Sequence, residues 1–444
     1  MQRRILMQHD KTHSDNPPKT HGVSRKLQDL WWPFIFSILI VNLGLILAES
    51  VRSKLIGYPW VEADFTSHLG GEYDFIANAI RHGRGFSDPF GRETGATGWM
   101  PPLIPYCLAG LYGIMGDQRE TVVTIVMFIQ ATSLLLCLTA VLFPFRKHPR
   151  RWIFIVITSL AVAIHFYYLF QFTHDHIVLM LLTTLVWLQF SYWRTSTETT
   201  SNILGRGVFG GIVALASPVL GFAWAVMTII RNWSHARTVF LTGGISFLLV
   251  VPWVVYNTSR LGMFCPIKSN SAYELWQAQV ADDDGIVDLK LSRVHPYHAA
   301  NPDAKLYADL GEAAFLKLKK REWQAAIQSH PWMALERIAN RAAAALIWTV
   351  PYKENELQFS WRLCFKRLWT ILSTASVMWL LVRLPKPMDP LVFSALAVGF
   401  LYLLPYILVS YYERYDMAIF PLRLFLLLKA VETLMPSRNR LAHS

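Results

Sequence analysis

Four carboxylates lie close together in the polar segment that follows the first apolar stretch, namely Glu62, Asp64, Glu72 and Asp74. A carboxylate held beside a hydroxyl group can take its proton as the oxygen attacks an electrophile, which is general-base catalysis. Most carboxylates in an aqueous loop are simply solvated, and spacing alone does not show which of these faces a cavity. The cluster therefore predicts a candidate base without selecting one residue.

Four cations occupy positions near the ends of apolar segments in the second half of the chain: Arg260, Lys268, Arg414 and Arg423. Cationic side chains can stabilise a developing anion such as a departing phosphate. Arg423 lies within an apolar stretch, where a charge is costly and usually faces protein or a polar cavity. A long side chain about two turns from the interface can also extend to water, so both interpretations stay open.

A second polar group is the tripeptide His174-Asp175-His176, which falls between two apolar stretches. These side chains can bind a divalent metal ion or form a polar turn at a membrane surface. Asp175 is also a candidate for positioning a substrate. Trp99 can stack on a sugar ring or belong to the aromatic belt of a membrane protein. The four cysteines form no CxxC pair, so they indicate neither a metal centre nor a disulfide framework.

Helices of membrane length must position these groups. The chain is 53% hydrophobic and 16% charged, with a mean hydropathy of +0.31. A bilayer core of about 30 Å requires about 20 apolar residues in a helix. The sequence therefore predicts an all-α polytopic membrane protein. The candidate spans are Trp31–Ala48, Thr121–Phe145, Trp152–Thr173, Ile177–Trp193, Gly207–Ile230, Thr238–Ser259, Leu368–Val382, Leu391–Tyr412 and the charge-interrupted Met417–Met435.

The net charge of +12 is carried largely by residues that flank these stretches. This placement is typical of the cytoplasmic side of membrane proteins and does not indicate nucleic-acid binding. Two shorter apolar stretches, Leu103–Gly116 and Ala342–Tyr352, are expected to form interfacial or re-entrant helices. The predicted divisions are a disordered basic cytoplasmic tail (1–30), an N-terminal transmembrane module (31–259) that includes a first extracytoplasmic loop (50–120), a second extracytoplasmic loop (260–367), C-terminal transmembrane helices (368–436) and a cytoplasmic tail (437–444).

The segment Gly207–Ile230 decides whether both loops face the same side of the membrane. Arg206 precedes it and Arg231 follows it, so both of its ends are expected in the cytoplasm. Ser217-Pro218 and the neighbouring glycines supply a point at which a helix can break. We therefore expect a hairpin that returns the chain to its starting side and leaves both loops on one face.

Two longer stretches resemble motifs of a known family. From Ile76 to Pro105 the chain reads IANAIRHGRGFSDPFGRETGATGWMPPLIP, and from Pro252 to Trp276 it reads PWVVYNTSRLGMFCPIKSNSAYELW. Both stretches resemble the bacterial GT-C glycosyltransferases, which are related to the dolichyl-phosphate-mannose mannosyltransferases of the family 39 type. Near the C-terminus, the run YERYD at residues 412–416 resembles the family element ERY..P..P, and Phe420-Pro421 supplies the later proline. Two departures from the pattern are Tyr256, where arginine is usual, and Gly98, where alanine is usual.

The resemblance implies a GT-C-like transmembrane helix bundle in the bacterial inner membrane. It also implies a polyprenyl-phosphate-linked sugar donor and a glycan, lipid or protein acceptor at the extracytoplasmic face. Glu72 matches the acidic position of the family and is the first candidate for the base, with Asp74 as a competitor. Lys268, Arg414 and Arg423 are candidates for contacting the lipid phosphate. Membrane lipids are expected partners, and nucleic acid is not.

Two other classes of function stay open. One is a transporter or flippase for lipid-linked sugars, which is expected to have internal repeats and charged residues along a pathway. The predicted spans are mostly free of charge, which argues against that class. The other is a non-catalytic scaffold in envelope-polysaccharide assembly, which the departures at Tyr256 and Gly98 keep in consideration.

Overall fold

The computed structural model describes residues 31–44, 71–116, 118–165, 169, 176–193, 199–281, 284–287, 291, 294–350, 361–383 and 387–435. Within these ranges the chain is all-α, and its only extended pairings are isolated bridges. The predicted tails 1–30 and 437–444 lie outside the described residues, as do Glu62 and Asp64.

The helices follow the apolar stretches of the sequence. Three of them are long and apolar enough to cross a bilayer, with 27 residues in Arg119–Phe145, 26 in Ala236–Leu261 and 19 in Pro390–Leu408, which indicates a membrane protein. In chain order the helices are α1 (Trp31–Gly44), α2 (Gly71–Arg81), α3 (Leu103–Met115), α4 (Arg119–Leu142), α5 (Arg151–Ile164), α6 (His176–Ser191), α7 (Thr200–Ala216), α8 (Pro218–Arg231), α9 (Ala236–Leu261), α10 (Ser271–Trp276), α11 (Pro302–Leu310), α12 (Glu312–Ser329), α13 (Pro331–Leu346), α14 (Trp361–Arg383), α15 (Pro390–Leu408) and α16 (Phe420–Leu434).

Several helix boundaries differ from those that the apolar pattern predicted. Helix α14 begins at Trp361, before the apolar run, because its first turns are amphipathic and not charge-free. Residues 342–346 of the stretch predicted as a separate short helix form the end of α13, which begins at Pro331. Residues 347–350 are not helical, and 351–352 lie outside the described residues. The last predicted span is divided into a 3-10 segment, Glu413–Ile419, and α16, because Pro421 favours the first turn of a new helix.

The segment 207–230 forms the expected hairpin, broken between Ala216 and Pro218. The Ser217 hydroxyl accepts a hydrogen bond from the Leu220 N–H at 3.3 Å and caps α8, and Pro218 occupies its first turn. Helices α7 and α8 run antiparallel, since a Cβ on Gly221 would lie 2.7 Å from Ala214 Cα. At 17 and 14 residues the helices are about 25 and 21 Å long.

Gly210 lets the two arms of this hairpin approach each other. A Cβ at Gly210 would overlap the buried indole ring of Trp224 on α8. Gly210→Ala is therefore expected to force the arms apart and to lower the free energy of unfolding by about 1–3 kcal/mol. Thermal unfolding of the purified protein in detergent measures this loss. Gly205→Ala is the matched control, because nothing lies within 4 Å of a Cβ there, and an equal loss in both variants would contradict the prediction.

Two clusters of buried side chains hold the fold together. The larger cluster joins the apolar helices and contains Trp187 and Phe425, whose ring centroids lie 4.7 Å apart. The smaller cluster is rich in aromatic residues and joins the segments 71–123 and 253–316, with Trp99 5.3 Å from Tyr273 and 5.8 Å from Tyr307. The parts of the two predicted loops that the structure describes therefore share one core.

Candidate functional site

The carboxylate of Glu312, at the start of α12, joins the two loops. It accepts hydrogen bonds from Ser269 Oγ at 2.6 Å, Tyr307 OH at 2.6 Å and the Gly98 N–H at 2.8 Å. The Thr97 hydroxyl donates a further hydrogen bond. Burial raises the pKa of this carboxyl, and the four donors oppose that effect. Segments that are far apart in the sequence are thus held against each other at a single side chain.

Gly98 is required by this junction. A Cβ there would lie 3.0 Å from Cys265 Sγ and 3.0 Å from Leu261 Cδ1. Cys265 is buried and Leu261 is partly buried, so alanine at position 98 would need these side chains to move by a few tenths of an ångström. The close contacts therefore favour glycine at this position.

A cavity of about 430 Å³ opens between the two loops and the apolar helices, within the range of about 300–1,000 Å³ that is typical of small-molecule sites. Much of its wall is apolar, with Met100, Leu179, Val219, Ile267 and Val409 among the lining side chains. The polar side chains on the wall are Tyr73, Ser217, Lys268, Asn270, Ser271, Glu274, Tyr406, Ser410, Arg414 and Tyr415.

Positive charge reaches the cavity from two segments. The Lys268 ammonium lies 3.8 Å from Glu274 Oε1, which also accepts a hydrogen bond from Asn270 Nδ2 at 3.0 Å. Arg414 comes from the 3-10 segment, where its guanidinium lies over the Tyr412 ring at 5.1 Å. The structure therefore brings together two of the predicted cations, Lys268 and Arg414.

Two further features make this region suitable for an anion. The N-terminus of α8 opens onto the cavity at Ser217, and a helix N-terminus carries a partial positive charge. The Ser410 hydroxyl lines the cavity, is 2% exposed and has no hydrogen-bond partner among the described residues. A buried hydroxyl in this state can donate to a bound anion.

Glu72 lies beside this cavity in the first turn of α2, next to the lining residue Tyr73. Its Oε1 accepts a hydrogen bond from Trp99 Nε1 at 3.2 Å. Burial raises the pKa of the Glu72 carboxyl to about 7, against the opposing positive charges of Lys268 and Arg414. A carboxyl with a pKa near neutrality is well suited to take and release a proton.

Asp74, the competing candidate, has a structural role in this fold. It is fully buried, accepts a hydrogen bond from Tyr112 OH at 2.7 Å and forms an ion pair with Arg119 at the start of α4. Its two oxygens are engaged by these partners, so Asp74 connects α2 to α3 and α4. The prediction that Asp74 serves as a base is not supported by this position.

Arg423 and Trp99 also have positions that differ from the predicted roles. Arg423 lies outside the cavity lining, where Nη1 is 3.0 Å from Asp416 Oδ2 and Nη2 donates to the Ala345 carbonyl at 2.6 Å. Its charge is thus neutralised within the helix bundle. Trp99 is 1% exposed and packs edge-on against Phe90 at 5.1 Å, so it orients Glu72 and is too enclosed to stack on a sugar.

The proposed metal ligands are only partly covered by the structure. His174 and Asp175 lie outside the described residues, while His176 begins α6 and is buried. Among the residues that the structure does describe, no three His, Cys, Asp or Glu side chains are grouped so that they could hold a metal ion.

Sequence reasoning missed several residues of this region. Glu274 and Ser217 line the cavity, and His295 lies with its Nε2 3.9 Å from Glu72 Oε1. Glu274 lies in the ELW motif and Ser217 lies at the predicted helix break. Both segments were noted in the sequence, but neither residue was predicted to line a binding site. Ser410 carried no signal, because a serine at the end of an apolar helix is common.

Comparison with known proteins gives no relative for this chain. No family model matches it, and neither a curated protein nor a solved structure does.

Proposed function

We propose that this protein is a membrane glycosyltransferase of the GT-C type. It transfers a sugar from a polyprenyl-phosphate-linked donor to a hydroxyl group of a glycan, lipid or protein acceptor. The observation that carries the proposal is the cavity itself, which combines an apolar wall, the two cations Lys268 and Arg414, and the adjacent carboxyl of Glu72 with a pKa of about 7.

Each part of the transfer has a candidate group. The acceptor O–H bond breaks as its proton passes to Glu72, and the acceptor oxygen forms a bond to the anomeric carbon of the sugar. The bond from that carbon to the phosphate oxygen breaks on the opposite side, and its electron pair leaves with the phosphate. Attack and departure on opposite faces invert the anomeric configuration. Lys268 and Arg414 stabilise the phosphate that leaves.

Glu274 sets the charge balance of this site. Because its carboxylate lies 3.8 Å from the Lys268 ammonium, it holds the lysine in place and offsets one positive charge. While Glu72 is protonated, Lys268, Arg414 and Glu274 leave one net positive charge at the cavity, which suits a donor with a single negative charge. The lipid chain of such a donor fits along the apolar wall near Leu179, Val219 and Val409.

The chain is proposed to lie in the bacterial inner membrane with the cavity at the extracytoplasmic face. This orientation follows from the basic residues that flank the predicted spans. The hairpin of α7 and α8 supports it, because that hairpin allows both loops to reach the same side.

Purified protein in proteoliposomes, supplied with a radiolabelled polyprenyl-phosphate sugar and a crude acceptor fraction, tests this function. The expected result is labelled acceptor with release of polyprenyl phosphate in equal amount. Movement of intact donor across the bilayer without cleavage would indicate a transporter instead. Absence of both transfer and movement, in a protein that binds the donor, would favour the non-catalytic scaffold.

Arg414→Gln is expected to lower transfer by about 10- to 100-fold, because a charge-assisted contact to the leaving phosphate contributes about 1.5–3 kcal/mol. Initial rates of polyprenyl phosphate release measure this loss. Arg260→Gln is the matched control, since Arg260 is exposed at the end of α9 and is not part of the cavity wall. Equal rates for the Arg414 variant and the unaltered protein would remove Arg414 from the mechanism.

A further inference from the structure

His295, in the second loop, is enclosed by aromatic side chains. Its ring centroid lies 5.4 Å from Tyr273, 5.8 Å from Trp99 and 5.8 Å from Phe90, each in an edge-to-face arrangement. These contacts fix the plane of the imidazole. About a fifth of the side chain is exposed, at 21%, so the ring is held firmly without being sealed from the site.

The hydrogen bond at Nδ1 determines which ring nitrogen carries the proton. The Tyr297 backbone N–H points to Nδ1 of His295 at 3.2 Å, and a backbone N–H can only donate. Nδ1 is therefore an acceptor, which assigns the single proton of the neutral ring to Nε2. Nε2, which then carries the proton, is the ring nitrogen that lies near Glu72.

Nε2 of His295 lies 3.9 Å from Glu72 Oε1, the same oxygen that accepts the hydrogen bond from Trp99 Nε1. A direct N–H···O bond is about 2.9 Å long, so a movement of about 1 Å would complete this contact. Nε1 of Trp99 and Nε2 of His295, which come from different loops, thus both lie near Oε1, and the Trp99 N–H is the one within hydrogen-bond distance. Oε2 accepts no hydrogen bond from either of these side chains.

The charge state of His295 suits an orienting group better than a proton donor. Burial lowers the pKa of the imidazole to about 3, and the positive charges of His298 and Lys268 act in the same direction. An imidazolium beside Glu72 would hold the carboxylate in an ion pair and weaken it as a base. A neutral N–H orients the carboxylate and weakens it less as a base than an imidazolium would.

We propose that His295 is a positioning residue for Glu72, donating its Nε2 N–H to Oε1 of the ionised carboxylate and leaving Oε2 to take the acceptor proton. The inference rests on the proposed function for its catalytic meaning. The hydrogen bond requires no substrate, so its effect on Glu72 can be measured without turnover. The other charged groups that act on Glu72 are Lys268, Arg414 and Glu274, and they are present in every variant below.

Labelling of Glu72 by a hydrophobic carbodiimide tests the contact, because this reagent modifies protonated carboxyls. Purified full-length protein in detergent is labelled across a range of pH, and the modified peptide is quantified by mass spectrometry. In the unaltered protein, labelling is expected to fall with rising pH, with a midpoint near 7. In His295→Phe, which keeps an aromatic ring without a donor, the midpoint is expected to rise by about one pH unit.

His295→Gln is the restoring variant, because its side-chain amide can donate from about the position of Nε2. Its midpoint is expected to return toward that of the unaltered protein. His295→Leu provides a second donor-free variant if the phenylalanine variant does not fold. An unchanged midpoint in a folded donor-free variant would overturn the proposal and leave His295 as a packing residue.

The rate of transfer gives an independent readout. A pKa higher by about one unit leaves about fivefold less ionised Glu72 at pH 7, so the rate in His295→Phe is expected to fall by that factor and to recover above pH 8. A purely structural loss would not recover with pH. A shifted labelling midpoint in a protein that transfers no sugar would support the contact and refute the proposed function.

Discussion

Replacing Glu72 with Gln is expected to lower the rate of sugar transfer by about 10²–10⁴-fold, the range that a general base contributes. The amide oxygen can still accept the hydrogen bond from Trp99 Nε1, which joins the indole to Glu72 at 3.2 Å. The local fold is therefore expected to persist, and the loss reflects the missing base. Donor-dependent release of polyprenyl phosphate is the measurement.

Glu93→Gln is the matched control for this variant, since Glu93 is an exposed carboxylate of the same loop. Its rate is expected to equal that of the unaltered protein. The pH dependence supplies a second check, because Glu72 acts as a base only when ionised and its pKa is about 7. The rate should rise with pH through this value. Full activity of Glu72→Gln would exclude Glu72 as the base.

Lys366→Met is expected to lower the free energy of unfolding by about 3–5 kcal/mol, because it leaves a buried carboxylate without its ion-pair partner. Lys366 Nζ lies 3.1 Å from Glu413 Oε2, and the side chains are 4% and 5% exposed. Arg423 and Asp416 form a second buried pair in the same region, at 3.0 Å. Chemical unfolding in detergent micelles, followed by tryptophan fluorescence, measures the loss.

The double variant Lys366→Met with Glu413→Gln removes both charges of this pair. It is expected to be more stable than Lys366→Met alone, because no uncompensated charge remains. Lys320→Met serves as the control, since Lys320 is exposed on α12 and its loss should change stability by less than about 0.5 kcal/mol. If Lys366→Met and Lys320→Met lowered the free energy of unfolding by similar amounts, the buried ion pair would contribute little to stability.

The two buried ion pairs also hold in place the 3-10 segment that lines part of the cavity. Glu413 and Asp416 belong to the 3-10 segment that carries Arg414 and Tyr415, and those two residues line the cavity. The acidic residues attach one side of the segment to α14 and α16, while Arg414 faces the proposed phosphate site. A variant with a weakened pair is therefore expected to bind donor less well in addition to being less stable.

Much of the secondary structure could be predicted from the sequence, because the signals are local. Apolar runs of membrane length mark α4, α9 and α15, since a helix satisfies its own backbone groups and needs only apolar neighbours. Ser217-Pro218 marks the break between α7 and α8, because the serine caps a new helix and proline suits its first turn. No knowledge of distant contacts is needed for these predictions.

The resemblance placed Glu72 before Asp74, and only the tertiary structure shows how the surroundings of the two carboxylates differ. The two residues are two positions apart on α2, so their side chains point to different sides of the helix. Asp74 meets Arg119 and Tyr112, while Glu72 meets Trp99 and the cations beside the cavity. The residue types alone do not distinguish these surroundings. Side chains from distant segments engage Asp74 in packing contacts and leave Glu72 beside the cavity.

The sequence by itself thus determined that the chain is helical and apolar and that its hairpin breaks at Ser217-Pro218. It also determined which charged residues are candidates for the site. The tertiary structure decided that Lys268 and Arg414 share a cavity, that Arg423 is neutralised by Asp416, and that Glu72 has a pKa near neutrality. The physical reason is the range of the interactions. Helix formation and capping depend on residues within a few positions, whereas the burial and charge environment of a side chain depend on segments that only folding brings together.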